Sequence, residues 1–217
     1  MSNLRAYITT SADGYVAGPN QSIENPLGEG GDGIHDWAFK LRAFRRIHGD
    51  SGGDEGPSND FTEEQLDGIG AQIMGRNMFG GGPGPWDRDE PWNGWWGENP
   101  PFHMPVYVLT HHDREPLTLS DTTFIFVTGG IRSALDQARE AAAGKDVVVG
   151  GGAEAINQYL AAGLVDELGL NVVPLVLGSG ARLFEGVGPD IELEQQKVVV
   201  GDGVTHLRYA VRSGSSA

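Results

Sequence analysis

Apolar runs and segments of helical periodicity alternate along this chain. The apolar runs predict buried strands, and they lie at residues 4–9, 71–74, 106–110, 124–127, 147–149 and 168–173. Apolar residues at helical spacing predict helices at 133–143 and 153–162. Ser133 is the expected N-cap of the first helix, and Gly144 and Gly163 are the expected ends of the two.

The C-terminal segment has the pattern of a hairpin. Residues 198–200 and 204–211 flank the short turn Gly201-Asp202-Gly203 and predict an antiparallel pair of strands. Strands that alternate with helices favour a parallel sheet. We therefore expect one α/β domain with a mainly parallel central sheet and an antiparallel C-terminal hairpin.

Glycine-rich stretches interrupt the first half of the chain. They lie at residues 28–33, 49–56 and 80–84, and the first two predict long loops over residues 19–60. Four of the five tryptophans lie in a Trp-rich insert at residues 80–102. Because exposed tryptophans in a loop are typical of a binding wall or an interface, we expect the insert to serve as one of these.

The composition restricts the class of protein. The 217 residues, 39% of them hydrophobic and 21% charged, suit one domain with its own core. The absence of cysteine excludes disulfides, thiolate metal sites and the zinc site of a fused deaminase, and it agrees with a cytoplasmic protein. No apolar run approaches the roughly 20 residues of a membrane span. A net charge of −15 argues against nucleic acid as a partner.

Three consecutive glycines, Gly150, Gly151 and Gly152, connect the predicted strand at 147–149 to the predicted helix at 153–162. Bare backbone at a helix N-terminus favours an anion, because the N–H groups converge, the helix dipole attracts negative charge and no Cβ blocks close approach. The turn matches neither G-x-G-x-x-G nor a P-loop, which argues against nucleoside triphosphate chemistry. It predicts a phosphate-bearing cofactor.

Two further segments have side chains suited to an anion. Gly75 ends an apolar strand, and Arg76 follows at the head of a predicted helix, where a guanidinium can bind phosphate. The segment Thr110-His111 is either a solvated turn or, with Arg114, a second group that closes over a phosphate. Adjacent histidines without a carboxylate at ligand spacing make a poor metal site, so we expect no metal.

Taken in order, these motifs resemble the dihydrofolate reductase superfamily, most of all the branch related to the C-terminal reductase domain of riboflavin-biosynthesis enzymes (RibD). The matching segments are 13–18 (DGYVAG), 73–76 (IMGR), 106–111 (VYVLTH), 148–152 (VVGGG), 163–168 (GLVDEL) and 174–184 (PLVLGSGARLF). The resemblance covers nearly the whole chain except residues 19–60 and the Trp-rich insert. It implies a three-layer dihydrofolate-reductase-like fold and an NADPH-dependent oxidoreductase.

The resemblance also implies roles for single residues. Gly75 and Arg76 are expected to contact the cofactor phosphates, and Thr110 and His111 to lie beside the adenosine 2′-phosphate. The pyrophosphate is expected at Gly150, Gly151, Gly152 and Ala153. Folate reductases usually carry a threonine two positions after the arginine, where this chain has Met78, so one phosphate hydrogen bond is lost.

The proton donor has two candidates. The string 36–40 (DWAFK) is similar to the early helix on which folate reductases carry their acid, which favours Asp36. Asp13 is the second candidate, because it follows the first strand at the edge where open α/β sheets bind ligands, and the riboflavin-type branch places its substrate there. Each residue is alternatively a helix cap or a turn residue.

The implied reaction is hydride transfer from NADPH to a C=N bond of a small planar heterocycle, either pterin- or dihydrofolate-like or ribosylaminopyrimidine-like. The alternatives are a reductase that uses deazaflavin or flavin on the same fold, and a non-catalytic dinucleotide-binding module. A homodimer is a further expectation, since the strand at 168–173 and the C-terminal hairpin offer edges that could pair across a two-fold axis.

Overall fold

A computed structural model describes residues 2–213 as alternating strands and helices. The strands are β1 (Leu4–Ser11), β2 (Tyr15–Ala17), β3 (Ile69–Gly75), β4 (Pro105–Leu109), β5 (Leu117–Leu119), β6 (Thr122–Val127), β7 (Asp146–Val149), β8 (Glu167–Val173), β9 (Ala181–Arg182), β10 (Ile191–Gly201) and β11 (Val204–Ser213). The helices are α1 (Asp36–Phe39), α2 (Arg42–Ile47), α3 (Pro57–Leu66), α4 (Arg76–Phe79), α5 (Gly130–Ala141) and α6 (Ala153–Ala161). Within residues 2–213, no helix is both long and apolar enough to cross a bilayer.

The central sheet has nine strands in the order β10-β11-β8-β1-β7-β3-β4-β6-β5. All neighbours from β8 to β6 run parallel. Antiparallel pairs complete both edges, with β11 and β10 at one side and β5 at the other. The predicted parallel sheet with an antiparallel C-terminal hairpin is therefore confirmed, and β5 is an addition that the sequence pattern did not predict.

The start of α5 differs from the prediction. The helix begins at Gly130 rather than after a Ser133 cap, and it has no capping side chain. Gly130 has a φ of +78°, which lets the chain turn from β6 directly into the helix. Ser133 lies inside the helix, where its Oγ accepts a hydrogen bond from Gln137 Nε2. The predicted cap was wrong because a glycine turn performs the change of direction that a capping residue usually accompanies.

Residues 19–60 contain helices as well as loops. Helices α1 and α2, of four and six residues, are too short to give a clear apolar period in the sequence. Trp37 of α1 is buried in one cluster with Val173, the last residue of β8, and Val204. This packing places the start of α1 beside the carboxyl end of β8.

Both faces of the sheet are covered. Helices α5 and α6 pack on one face, where Tyr159 and Leu160 of α6 are fully buried. The Trp-rich insert packs on the opposite face over β3, β4 and β6, and its half-buried residues complete a core of apolar side chains. That core comprises Met74, Phe79, Val106, Val108, Phe124 and Phe126, with Trp86, Trp92, Trp96 and Phe102 packed against it. The insert therefore covers part of the core, a role that the expectation of a binding wall or an interface did not include.

One expectation about pairing edges is wrong. Strand β8 lies between β11 and β1, so it has no edge to offer a second copy. The edge at this end of the sheet belongs to β10, which has 11 residues. Its Val198 and Val200 are 45% and 75% exposed.

Candidate functional site

The candidate site lies at the carboxyl ends of five neighbouring parallel strands. In spatial order, β8, β1, β7, β3 and β4 end at Val173, Ser11, Val149, Gly75 and Leu109. Neighbouring strands lie about 4.8 Å apart, so these ends form an edge about 19 Å long. Open α/β sheets bind their ligands at such an edge. The predicted site residues lie on segments that follow these ends or pack against them.

Backbone hydrogen bonds join the Gly75 turn to the glycine turn at residues 150–152. The Gly75 N–H donates to the Gly151 carbonyl oxygen over 2.8 Å, and the Gly150 N–H donates to the Ile73 carbonyl oxygen over 3.0 Å. A Cβ on Gly75 would lie 3.4 Å from the Cβ of Ala155, so the end of β3 also fits closely against α6. The two turns predicted from the sequence therefore form one continuous backbone surface.

The N-terminus of α6 adjoins open space. No side chain caps this nine-residue helix, and within residues 2–213 the N–H groups of Ala153, Glu154 and Ala155 have no acceptor. A Cβ on Gly152 would meet no atom within 4 Å. Unpaired backbone donors, the positive end of a helix dipole and room for close approach are the features that suit a phosphate.

The other two glycines of the turn are fixed by their surroundings. A Cβ on Gly150 would lie 2.6 Å from Nε2 of the buried Gln72. Gly151 has a φ of +129°, and a Cβ there would lie 3.3 Å from Met78 Sδ. Met78, which stands where folate reductases usually carry threonine, thus packs against the turn as an apolar support.

Arg76 opens α4 and stacks on an indole ring. Its Cζ lies 3.1 Å from the centroid of the Trp86 ring. Its Nε donates to the Gly80 carbonyl oxygen over 3.0 Å, and its Nη1 lies 3.5 Å from Thr110 Oγ1. Burial, and then the charge of Arg114, lower the pKa of Arg76 to about 10. Its positive charge is therefore poorly compensated, and a bound anion would stabilise it.

The Thr110-His111 segment borders an open cleft of about 490 Å³. Thr110 is buried, His111 is exposed, and Arg114 lines the cleft with Trp86. Burial lowers the pKa of Arg114. The structure thus brings Thr110 and His111 to one place with Arg76 and Arg114, as the phosphate interpretation of this segment requires.

Asp13 is held as an anion in a turn. Its carboxylate accepts hydrogen bonds from Ser11 Oγ over 2.6 Å, from the Gly178 N–H over 2.7 Å and from the Leu177 N–H over 3.1 Å. These bonds, the one from Ser11 first, lower the pKa of Asp13 to about 2. Asp13 therefore ties the turn after β1 to the segment after β8, and this role disfavours it as a proton donor.

Asp36 lies near Leu175, in the segment that follows β8. It is the exposed first residue of α1. A Cβ on Gly33 would lie 3.5 Å from Asp36 Oδ2 and 3.8 Å from Leu175 Cδ1, which places the carboxylate close to this segment. Within residues 2–213 the Asp36 carboxylate accepts no hydrogen bond. Beside it, half-buried His35 has a pKa lowered by burial and partly restored by Asp36.

Comparison with known proteins then decides the family. The family model described as RibD C-terminal domain matches residues 3–207. The chain belongs to the RibD C-terminal domain family. YyaP of Bacillus subtilis (strain 168) is 29% identical over 161 residues, which cover 70% of this chain and 79% of YyaP.

Solved structures share the fold of this RibD C-terminal domain protein. A protein from Shewanella sp. PV-4, described as a riboflavin biosynthesis protein, aligns with a TM-score of 0.60 at 22% identity, over 98% of this chain and 99% of that one. Dihydrofolate reductase from Enterococcus faecalis, complexed with NADP(H), aligns with a TM-score of 0.53 at 14% identity, over 97% of both chains. The dihydrofolate-reductase-like fold expected from the motifs is therefore confirmed.

Sequence patterns did not reveal two side chains of this site. Trp86 was one of several tryptophans in the insert, and nothing in its spacing marked it as the partner of Arg76. His35 carried no signal, because the helix it precedes is too short to predict. That Arg76 and Arg114 form no ion pair within residues 2–213 becomes visible only in three dimensions.

Asp13→Asn is expected to lower the melting temperature at neutral pH, because the amide offers one acceptor oxygen in place of two. The folded-state pKa is lowered from 3.8 to about 2, so the contribution of Asp13 to stability is full above pH 3.8 and is lost as the pH falls towards 2. Thermal unfolding at several pH values should show a difference from wild type that is constant near neutrality and narrows in acid. Asp190→Asn, an exposed carboxylate elsewhere, is the control. A melting-temperature difference between wild type and Asp13→Asn that does not vary with pH contradicts the role of Asp13 as a hydrogen-bonded anion.

Proposed function

We propose that this chain is an NADPH-dependent reductase that transfers hydride to a C=N bond of a small planar heterocycle. The observation that carries the proposal is the open space at the N-terminus of α6, bordered by the joined turns at Gly75 and at 150–152. Its backbone donors and the nearby Arg76 suit the phosphates of a dinucleotide. Membership of the RibD C-terminal domain family and the fold shared with an NADP(H)-complexed reductase support the same conclusion.

The phosphates are assigned to separate groups of residues. Gly152 and Ala153, at the head of α6, would hold the pyrophosphate, and Arg76, whose Nη1 lies 3.5 Å from Thr110 Oγ1, would face the 2′-phosphate. Thr110 and His111, with Arg114 beside them, would hold the 2′-phosphate. When bound, NADPH supplies the hydride, and the chain supplies orientation, exclusion of water and a proton.

The substrate ring is assigned to the part of the edge formed by β1 and β8. A ring nitrogen that gains negative charge during reduction must be protonated by an acid or by an ordered water. Asp36 is the preferred acid, because its carboxylate is not committed to a turn, as that of Asp13 is. Pterin- or dihydrofolate-like rings and ribosylaminopyrimidines contain suitable nitrogens, and both are substrates to test.

Gly152→Ala is expected to weaken NADPH binding about tenfold, which corresponds to about 1.4 kcal/mol. The new Cβ would occupy the space open to a ligand but would meet no protein atom within 4 Å. The φ of −71° at this position suits alanine, so the fold should be preserved. Isothermal titration calorimetry with NADPH and NADH measures the effect.

Gly188→Ala is the matched control, because its Cβ would also meet nothing within 4 Å and the residue lies in an exposed loop away from the edge. It should bind NADPH like wild type. Unchanged binding by Gly152→Ala would contradict the phosphate assignment. Preference of the wild type for reduced deazaflavin or flavin would favour the alternative cofactor. Tight NADPH binding without turnover of dihydrofolate or a pyrimidine substrate would favour a non-catalytic module.

We also propose a homodimer through the C-terminal hairpin. Val198 lies opposite Leu207 in the β10–β11 ladder, and Val200 lies opposite Thr205. This face continues the one on which α5 and α6 pack, because Leu207 lies at the margin of that core. The exposed valines and the unpaired edge of β10 suit self-association, since both apolar surface and backbone donors are available.

A Val198→Glu/Val200→Lys variant is expected to sediment as a monomer at concentrations where the wild type is a dimer. The charged side chains would have to be desolvated in the interface. Val176→Glu, at a valine that is 78% exposed outside the hairpin, should remain dimeric. Analytical ultracentrifugation distinguishes the species, and a monomeric wild type at tens of micromolar would rule the dimer out.

A further inference from the structure

The Trp86 ring has two arginines within about 6 Å of its centroid. The Cζ of Arg76 is 3.1 Å from the centroid of its ring, and the Cζ of Arg114 is 5.1 Å away. Within residues 2–213, neither guanidinium takes part in an ion pair. A cation within about 6 Å of an aromatic face is attracted by the ring. The indole therefore offsets part of the repulsion between two like charges.

The indole cannot reorient easily. Its Nε1 donates to the His112 carbonyl oxygen over 2.9 Å. Its ring makes edge contacts with Phe126 and Phe79, whose centroids are 5.0 and 5.8 Å away. Trp86 is thus anchored on one side in the core and on the other to the turn after β4.

The same turn contacts Arg76. Thr110 Oγ1 accepts a hydrogen bond from the His112 N–H over 3.2 Å and lies 3.5 Å from Arg76 Nη1. Arg114 is held separately by the insert, where it donates to the Trp92 carbonyl oxygen over 2.5 Å and to Asn93 Oδ1 over 2.6 Å. Uncharged acceptors therefore orient both arginines without neutralising them.

The cleft beside Trp86 remains suited to an anion although acidic residues also line it. Asp87, Asp113 and Glu115 are exposed at its rim, and none forms an ion pair with Arg114. Burial lowers the pKa of both arginines, and their mutual repulsion adds to this at Arg76. Binding of a doubly charged anion would stabilise both guanidinium ions.

We infer that Trp86 is a positioning residue, which holds Arg76 and Arg114 beside the turn at residues 110–112 so that they take a phosphate monoester. The inference rests on the proposed function, in which this turn receives the 2′-phosphate of the cofactor. It adds that the discrimination between phosphorylated and unphosphorylated dinucleotides depends on an aromatic ring of the Trp-rich insert.

The test compares 2′,5′-ADP, which carries the phosphate monoester, with 5′-AMP, which lacks it. Trp86→Leu should lower the affinity for 2′,5′-ADP about tenfold and that for 5′-AMP less than about threefold, because the guanidinium ions lose their common support. Trp86→Phe should restore most of the preference, since it keeps an aromatic face. Trp96→Leu is the control, because Trp96 packs in the same core against Phe102 and Phe124 without contacting an arginine.

Isothermal titration calorimetry gives the ratio of the two affinities, and melting temperatures show whether each variant is folded. If Trp86→Leu does not fold, Arg114→Gln provides the same test, because it removes one of the two cations and should reduce the ratio similarly. An unchanged ratio in the folded Trp86→Leu or Arg114→Gln variant, or an equal loss in Trp96→Leu, overturns the inference.

The two proposals fail separately. If the wild type prefers NADPH to NADH and the Trp86 variants keep that preference, the proposed function is supported and the role of Trp86 is contradicted. If the wild type binds neither NADPH nor NADH but binds 2′,5′-ADP with an affinity that depends on Trp86, the proposed function is contradicted and the phosphate site is supported. A wild type that does not bind 2′,5′-ADP overturns the inference.

Discussion

The hydrogen bond between the Gly75 N–H and the Gly151 carbonyl oxygen, 2.8 Å long, determines the arrangement of the candidate site. It joins the last residue of β3 to the glycine turn and so extends the contact of β3 with β7 beyond the end of β7. Because it brings the two turns together, Arg76 begins α4 beside the open N-terminus of α6. A Cβ on Gly75 would lie 3.4 Å from the Cβ of Ala155. The close packing of β3 against α6 and the space for a ligand at this turn therefore both depend on the lack of a side chain at Gly75.

The Trp-rich insert connects the core to this edge. Its indole rings cover the face of the sheet opposite α5 and α6. Trp86 belongs to that cover and also contacts Arg76 at the edge. Trp86 therefore contributes both to packing in the core and to the orientation of Arg76. An apolar replacement of Trp86 is expected to keep the packing and to lose the orientation of Arg76.

The sequence predicted those parts of the molecule that depend on local pattern. Short β-branched runs such as residues 147–149 predicted the central strands, and the glycines at 150–152 predicted the turn that connects β7 to α6. The start of α5 was missed because Gly130 turns the chain without a capping side chain. The interior position of β8 was also missed, since strand order depends on long-range pairing rather than local periodicity. The roles of Asp13 and Trp86 depend on partners that are distant in sequence, at Gly178 and Arg76.

An amide-resolved NMR titration with NADP⁺ is the most direct test of where the dinucleotide binds. If the dinucleotide phosphates bind at the head of α6, the largest chemical-shift changes are expected at the backbone amides of residues 151–155 and of Arg76. Smaller changes are expected along the turn at 110–112. Residues of the hairpin, such as Val200, should not shift and provide an internal reference. Saturable changes that spare the amides of 151–155, or no changes at millimolar NADP⁺, would contradict binding at the head of α6.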